Sequence, residues 1–77
     1  MKVARNLLQY RLGEVIRRHR EAKKWTQEGF ADHIEMHRAA YGFVEQGRRD
    51  IRLSTLERVA KGLEEPMWII LKEAGGS

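Results

Sequence analysis

Two groups of cationic side chains dominate the chemistry open to this sequence. Arg17, Arg18, Arg20, Lys23 and Lys24 fill five of the eight positions from 17 to 24, and Arg48, Arg49 and Arg52 form a second group. With 15 Lys+Arg against 11 Asp+Glu the formal net charge is +4. Two basic clusters on a positively charged chain point to a polyanion partner, and the same charges also describe a solvated helix face beside a charged loop. His33 and His37 stand four apart, the spacing at which two imidazoles on one helix share a metal ion. A helix break falls between them and the spacing offers no third ligand, so neither a metal nor any other cofactor is expected. Catalysis has no visible machinery. There is no cysteine, no glycine-rich phosphate loop, and no serine arranged with a histidine and a carboxylate, Ser54 reading as a helix-start residue. A chain of 77 residues is also too small for a convincing closed pocket. The expectation is a non-enzyme without a small-molecule ligand.

The elements that must position these groups are helices. Leu8, Leu12, Val15, Ile16 and His19 recur at helical spacing, as do Leu53, Leu56, Val59, Ala60 and Leu63, and no stretch alternates long enough for a strand. The pattern predicts an all-α domain of five short helices, roughly Gln9 to Ala22, Gln27 to Ile34, Arg38 to Gln46, Leu53 to Leu63 and Pro66 to Ala74. Thr26 is a natural N-cap, Gly47 stands where a helix end favours a left-handed residue, and Pro66 suits a first turn. Residues 11–74 read as one domain, residues 1–10 as an N-terminal extension and residues 75–77 as a flexible tail. Val3, Leu7 and Leu8 would extend the first helix; alternatively, Lys2 and Arg5 would ride on a basic arm. The absence of cysteine is consistent with a reducing compartment, and a cytoplasmic location is the default. The longest apolar run, Met67 to Leu71, is far too short for a membrane span, so no membrane partner is expected.

The most informative stretch is Thr26 to Gly47, TQEGFADHIEMHRAAYGFVEQG. A short helix burying Phe30, Ala31 and Ile34 meets, after a tight turn near Glu35 and Met36, a second helix burying Tyr41 and Val44. Two helices so closely joined cross steeply, with small Ala31 at the approach, which is the helix-turn-helix pattern. From about Leu12 to Leu71 the chain resembles the Cro and lambda-repressor type of helix-turn-helix domain, the Xre-like family, through LGEVIRRHREAKKWTQEGFA, HRAAYGFVEQGRRD and LSTLERVAKGLEEP in order.

The resemblance implies a sequence-specific regulator of transcription that binds double-stranded DNA. It assigns base reading to Arg38, Ala39, Phe43 and His37 on or beside the recognition helix. Arg38 matches guanine O6 and N7, and Ala39 and Phe43 suit thymine methyls. Gln27 matches a glutamine that bonds phosphate, and Gln46, Gly47, Arg48 and Arg49 match a phosphate-contacting loop. Glu45 matches a partly buried glutamate that pairs with an arginine late in the first helix, which is Arg20. Three positions depart from the family pattern. Glu35 stands where glycine serves a positive φ, His37 replaces a Ser or Thr cap, and Gly29 removes the acid of a capping box.

In the last helix Met67, Ile70, Leu71 and Ala74 make an inward face, leaving Trp68 and Ile69 outside it. Apolar surface of this kind marks a partner site, read as a homodimer interface on a palindromic operator. The alternative is an antitoxin-like or accessory module of the same fold that masks a protein partner.

Overall fold

A computed structural model describes residues 7–75 of the chain. Five α-helices follow one another: α1 (Leu7–Ala22), α2 (Gln27–His33), α3 (Arg38–Gln46), α4 (Leu53–Leu63) and α5 (Met67–Gly75), and no strand is present among the described residues. No helix among them is long and apolar enough to cross a membrane.

α1 buries Leu12, Val15, Ile16 and Arg20, a spacing of three and four that keeps one stripe facing inward. Against it pack α5, α3 and α4, while α2 packs on α3. Ile16, Phe30, Tyr41, Leu56, Leu63 and Ile70 are fully enclosed where these helices meet. Gly13 makes the α1–α3 contact possible: a Cβ there would stand 2.4 Å from the Glu45 carbonyl oxygen.

Local chemistry sets the ends. Thr26 Oγ1 accepts from the Gly29 N–H at 2.9 Å and starts α2. His37 does the same for α3 through Nδ1, which accepts from the Ala39 N–H at 3.3 Å. Gly47, at φ 68°, closes α3, and its N–H and that of Arg48 return to the Val44 and Phe43 carbonyls. This paired closure is the pattern of a left-handed helix end.

Four boundaries differ from those read in the sequence. α1 begins at Leu7 because its first turn rests on the end of α3: Gln9 Nε2 donates to the Gly47 carbonyl at 3.1 Å, and the Tyr10 backbone lies so close to Gly47 that a Cβ would come within 2.6 Å of it. α2 stops at His33, with Ile34 as its C-cap. Pro66 precedes α5, its carbonyl accepting from Ile69 N–H, and the helix runs on to Gly75. α3 and α4 have the expected ends. Residues 1–6, with Val3, Lys2 and Arg5, and the tail beyond Gly75 lie outside the described residues.

Burial also corrects the apolar stripes. Leu53 is 74 % exposed. It opens α4, and a helical Cβ leans toward the N-terminus, so its side chain overhangs the helix start rather than entering the core. Leu8 is exposed for the corresponding reason near the start of α1. On α5 the inward set is Met67, Ile70 and Ala74, and Leu71 is exposed at its edge beside exposed Trp68.

Candidate nucleic-acid interface

α2 and α3 are joined by a turn in which Glu35 adopts φ 58°. The left-handed conformation is kept although no glycine occupies it, at a cost of about 1 kcal/mol. The Met36 N–H reaches back to the Ala31 carbonyl at 2.8 Å, and Arg58 Nη1 holds the Glu35 carbonyl at 3.3 Å.

At the opposite end of α3 from this turn lies a network centred on Glu45. Arg20 Nε donates to Oε2 at 2.6 Å and Nη2 to Oε1 at 3.1 Å, and the remaining fork nitrogen Nη1 bonds the Trp25 carbonyl at 2.8 Å. The Tyr41 hydroxyl donates to Oε2, and Gln27 Nε2 donates to Oε1 at 3.0 Å. Both charges are buried, the side chains being 8 % and 3 % exposed. Burial pushes the Glu45 carboxyl up, yet hydrogen bonds from Arg20, Tyr41 and Gln27 outweigh it and hold the group below the usual glutamate range. Tyr41 is displaced upward, first by burial and then by its bond to the Glu45 carboxylate. Among the described residues no buried side-chain nitrogen or oxygen lacks a partner.

On the outer side the structure gathers most of the sequence candidates around α3. Arg38 and Ala39 are exposed in its first turn, and exposed His37 caps it. Arg38 Nε and Nη2 donate to the two Asp32 oxygens at 3.3 and 2.9 Å, and Nη1 lies 3.4 Å from Glu28. The bond from Arg38 holds the Asp32 carboxyl below its ordinary value. At the other end of α3, Phe43 is half-buried, with the Arg49 and Arg48 guanidinium carbons 4.5 and 5.3 Å from its ring centre. Such stacking is a cation–π contact. Arg48 Nη1 also meets Gln46 Oε1 at 3.2 Å. Because the Gly47 and Arg48 amides close α3, this loop offers its side chains to an anion: Gln46, Arg48 and Arg49. Gln27 gives one amide proton to Glu45 and keeps the other.

The two basic clusters are not alike. Arg17 lies between Glu14 and Glu21, Arg20 is internal and Lys23 meets Glu64, so three of the five cations of the first group are answered by acids, while Arg18 and Lys24 make no ion pair among the described residues. Arg48, Arg49 and Arg52 make no ion pair among the described residues. His33 stacks on Trp25 at 4.5 Å, away from the cap made by His37, and no group of three His, Cys, Asp or Glu among the described residues is placed to hold a metal. Trp25 is half-buried and sets its edge against Phe30. On α5 Trp68 is 61 % exposed, whereas Ile69 is half-buried.

Sequence reasoning passed over the Asp32–Arg38–Glu28 cluster, the Phe43 stack and the Gly13 approach. One signal for the first was present: Glu28 and Asp32 are like charges four apart on a helix, which is unfavourable unless a cation answers them.

Residues 11–66 match the helix-turn-helix domain family. The chain belongs to that family. The chain is 34 % identical over 59 residues to the control protein C.MunI of a Mycoplasma species, covering 75 % of this chain and 80 % of that one. The clp gene regulator ClgR from C. glutamicum superposes with a TM-score of 0.88 at 28 % identity, over 99 % of this chain and 97 % of that one. The restriction-modification controller C.AhdI from Aeromonas hydrophila gives 0.77 at 27 % identity, over 80 % and 94 %. A third structure, the controller C.Esp1396I as a tetramer with its natural 35 base-pair operator, gives 0.79 at 27 %, over 90 % and 96 %. The protein is a DNA-binding helix-turn-helix transcription regulator of the Xre and controller-protein type, not an enzyme.

Proposed function

We propose that this regulator binds a palindromic operator as a homodimer, with α3 of each copy in the major groove. One observation carries the proposal: the outer face of α3 presents the Arg38 fork at its start and the arginines Arg48 and Arg49, unpaired with acids among the described residues, just beyond its end. A helix about 10–12 Å across with its side chains fits a major groove about 12 Å wide.

Arg38 reads a guanine and Ala39 touches a thymine methyl, with His37 beside them at the helix start. Phe43 also touches a thymine methyl, and Arg48 and Arg49, stacked on its ring, stand with Gln46 and Gln27 against phosphate. Gly47 shapes the loop. Arg20 and Glu45 hold α1 to α3 behind the reading surface. Trp68 and Leu71, exposed on one face of α5 with Ile69 at its margin, supply the apolar contact between copies. Twofold symmetry then places half-sites about 34 Å apart.

The test is selection of bound sequences from random duplexes, followed by titration of the selected and a random duplex at several salt concentrations. Arg38→Ala is expected to weaken the selected site about tenfold or more per half-site and to relax the base preference there. Loss of Arg48 or Arg49 is expected to weaken all duplexes alike and to lower the slope of log affinity against log salt by about one unit per phosphate contact. Sedimentation is expected to show a dimer in the parent and a monomer in Trp68→Glu. Absence of salt-sensitive DNA binding at low ionic strength would replace this reading with a protein-interaction module of antitoxin type.

A further inference from the structure

An arginine has two hydrogen-bonding edges: a side edge made by Nε and Nη2, and an end edge made by Nη1 and Nη2 together. In Arg38 the side edge is occupied by Asp32, through bonds of 3.3 and 2.9 Å to the two carboxylate oxygens. The end edge, the one that would face guanine O6 and N7, is met only by an ionic contact of 3.4 Å between Nη1 and Glu28. The two acids therefore do different things to one guanidinium. Asp32 fixes its plane and direction without using the reading edge, and Glu28 stands at that edge.

We propose that Asp32 is a positioning residue for base recognition, a buttress that aims the Arg38 end edge outward from α3, and that Glu28 is a displaceable occupant of the same edge. The proposal rests on the assignment of base reading to Arg38. Its physical basis is preorganisation. A free arginine loses several rotatable bonds on binding and is as well satisfied by a nearby phosphate as by a base. Held on its side edge, Arg38 has fewer orientations to lose and a poorer reach to phosphate, so its preference for a bidentate base edge rises. Asp32 comes from the last turn of α2 and Arg38 from the first turn of α3. The buttress thus spans the turn at Glu35 and depends on that turn keeping its left-handed residue.

The decisive measurement is base preference at the guanine position of the selected site, taken as the ratio of affinities for guanine and for each other base. Asp32→Ala in the Arg38 protein is expected to reduce that ratio by about fivefold while tightening binding to random duplex, because a negative charge beside the backbone is lost. Glu28→Gln is expected to tighten both while leaving the ratio unchanged. In an Arg38→Lys background, which has no side edge to buttress, Asp32→Ala is expected to tighten all duplexes equally. In the free protein, the Asp32 carboxyl titration followed by NMR is expected to move up toward its ordinary value in Arg38→Ala.

An unchanged ratio in Asp32→Ala, in a parent that does prefer guanine, overturns the buttress and leaves DNA reading by Arg38 intact. An equal loss of preference in the lysine background also overturns it. A parent with no base preference at any position overturns the reading role of Arg38, and the buttress with it.

Discussion

The molecule holds two arginine–carboxylate pairs of the same bonding pattern in opposite surroundings. Arg20 grips Glu45, and Arg38 grips Asp32, each through Nε and Nη2 to the two oxygens of one carboxylate. The first pair is 8 % and 3 % exposed, the second 57 % and 58 %. In the first, Nη1 is closed off by the Trp25 carbonyl, and Glu45 takes further bonds from Tyr41 and Gln27. In the second, the reading edge meets only exposed Glu28. Bonding pattern therefore does not assign a role; enclosure does. A pair whose every nitrogen is answered inside the protein holds helices together, and one with an edge left in water is available to a ligand.

The largest effect is expected where enclosure is complete. Arg20→Ala strands the Glu45 carboxylate and should cost about 3–5 kcal/mol in denaturant unfolding, while the double change Arg20→Met with Glu45→Leu should cost less because no buried charge is left behind. Melting of Arg20→Ala at the parent midpoint would remove the distinction between the two pairs.

Next comes the backbone under the buried pair. Gly13→Ala places a Cβ against the Glu45 and Val44 carbonyls and should cost about 1–3 kcal/mol through overpacking, measured the same way. A neutral result would mean that α1 and α3 shift apart freely and that Glu45 is not held by close contact.

Titration then reads the buried network by pH. Because the folded Glu45 value lies below the unfolded one, the unfolded chain takes up the proton first. The stability it contributes is present above about pH 4.3 and is lost as pH falls through the lowered folded value. Tyr41 has the opposite sign: its raised folded value contributes stability up to about pH 10 that declines above it. Tyr41→Phe should cost about 1 kcal/mol near neutrality and flatten the alkaline decline, read from unfolding at stepped pH. A parent whose stability is level from pH 3 to 6 would contradict the acid limb.

The smallest effect is expected at the exposed pair. Asp32→Asn should leave the melting midpoint where it is in the parent, since exposed pairs contribute little to folding. Clear destabilisation would show that Asp32 fastens α2 to α3 rather than aiming Arg38.

Much of the helical framework is legible in the sequence because its punctuation is chemical. Thr26 and Gly47 mark their helix ends by side-chain capping and by positive φ, and the stripe of Leu56, Val59, Ala60 and Leu63 keeps helical period through α4. Leu53 misleads because period says nothing about overhang at a helix start. α1 escapes at its beginning because what extends it is contact with Gly47, 37 residues beyond Tyr10. The reading surface is harder to see. Asp32 and Arg38 are six apart across a turn, a separation no periodic pattern registers, and Phe43 meets two arginines only because Gly47 folds the chain back over the end of α3.

The two tryptophans of the chain divide its light emission as well as its surface. Trp25 is half-buried, edge-on to Phe30 and stacked on the His33 ring, whereas Trp68 stands in water on α5. Indole emission shifts to shorter wavelength when water is withdrawn. One chain without added labels therefore carries two optical channels: Trp25 for the integrity of the core beside α2, and Trp68 for whatever covers the last helix. Trp68→Phe isolates the first channel, and dilution of the parent reads the second.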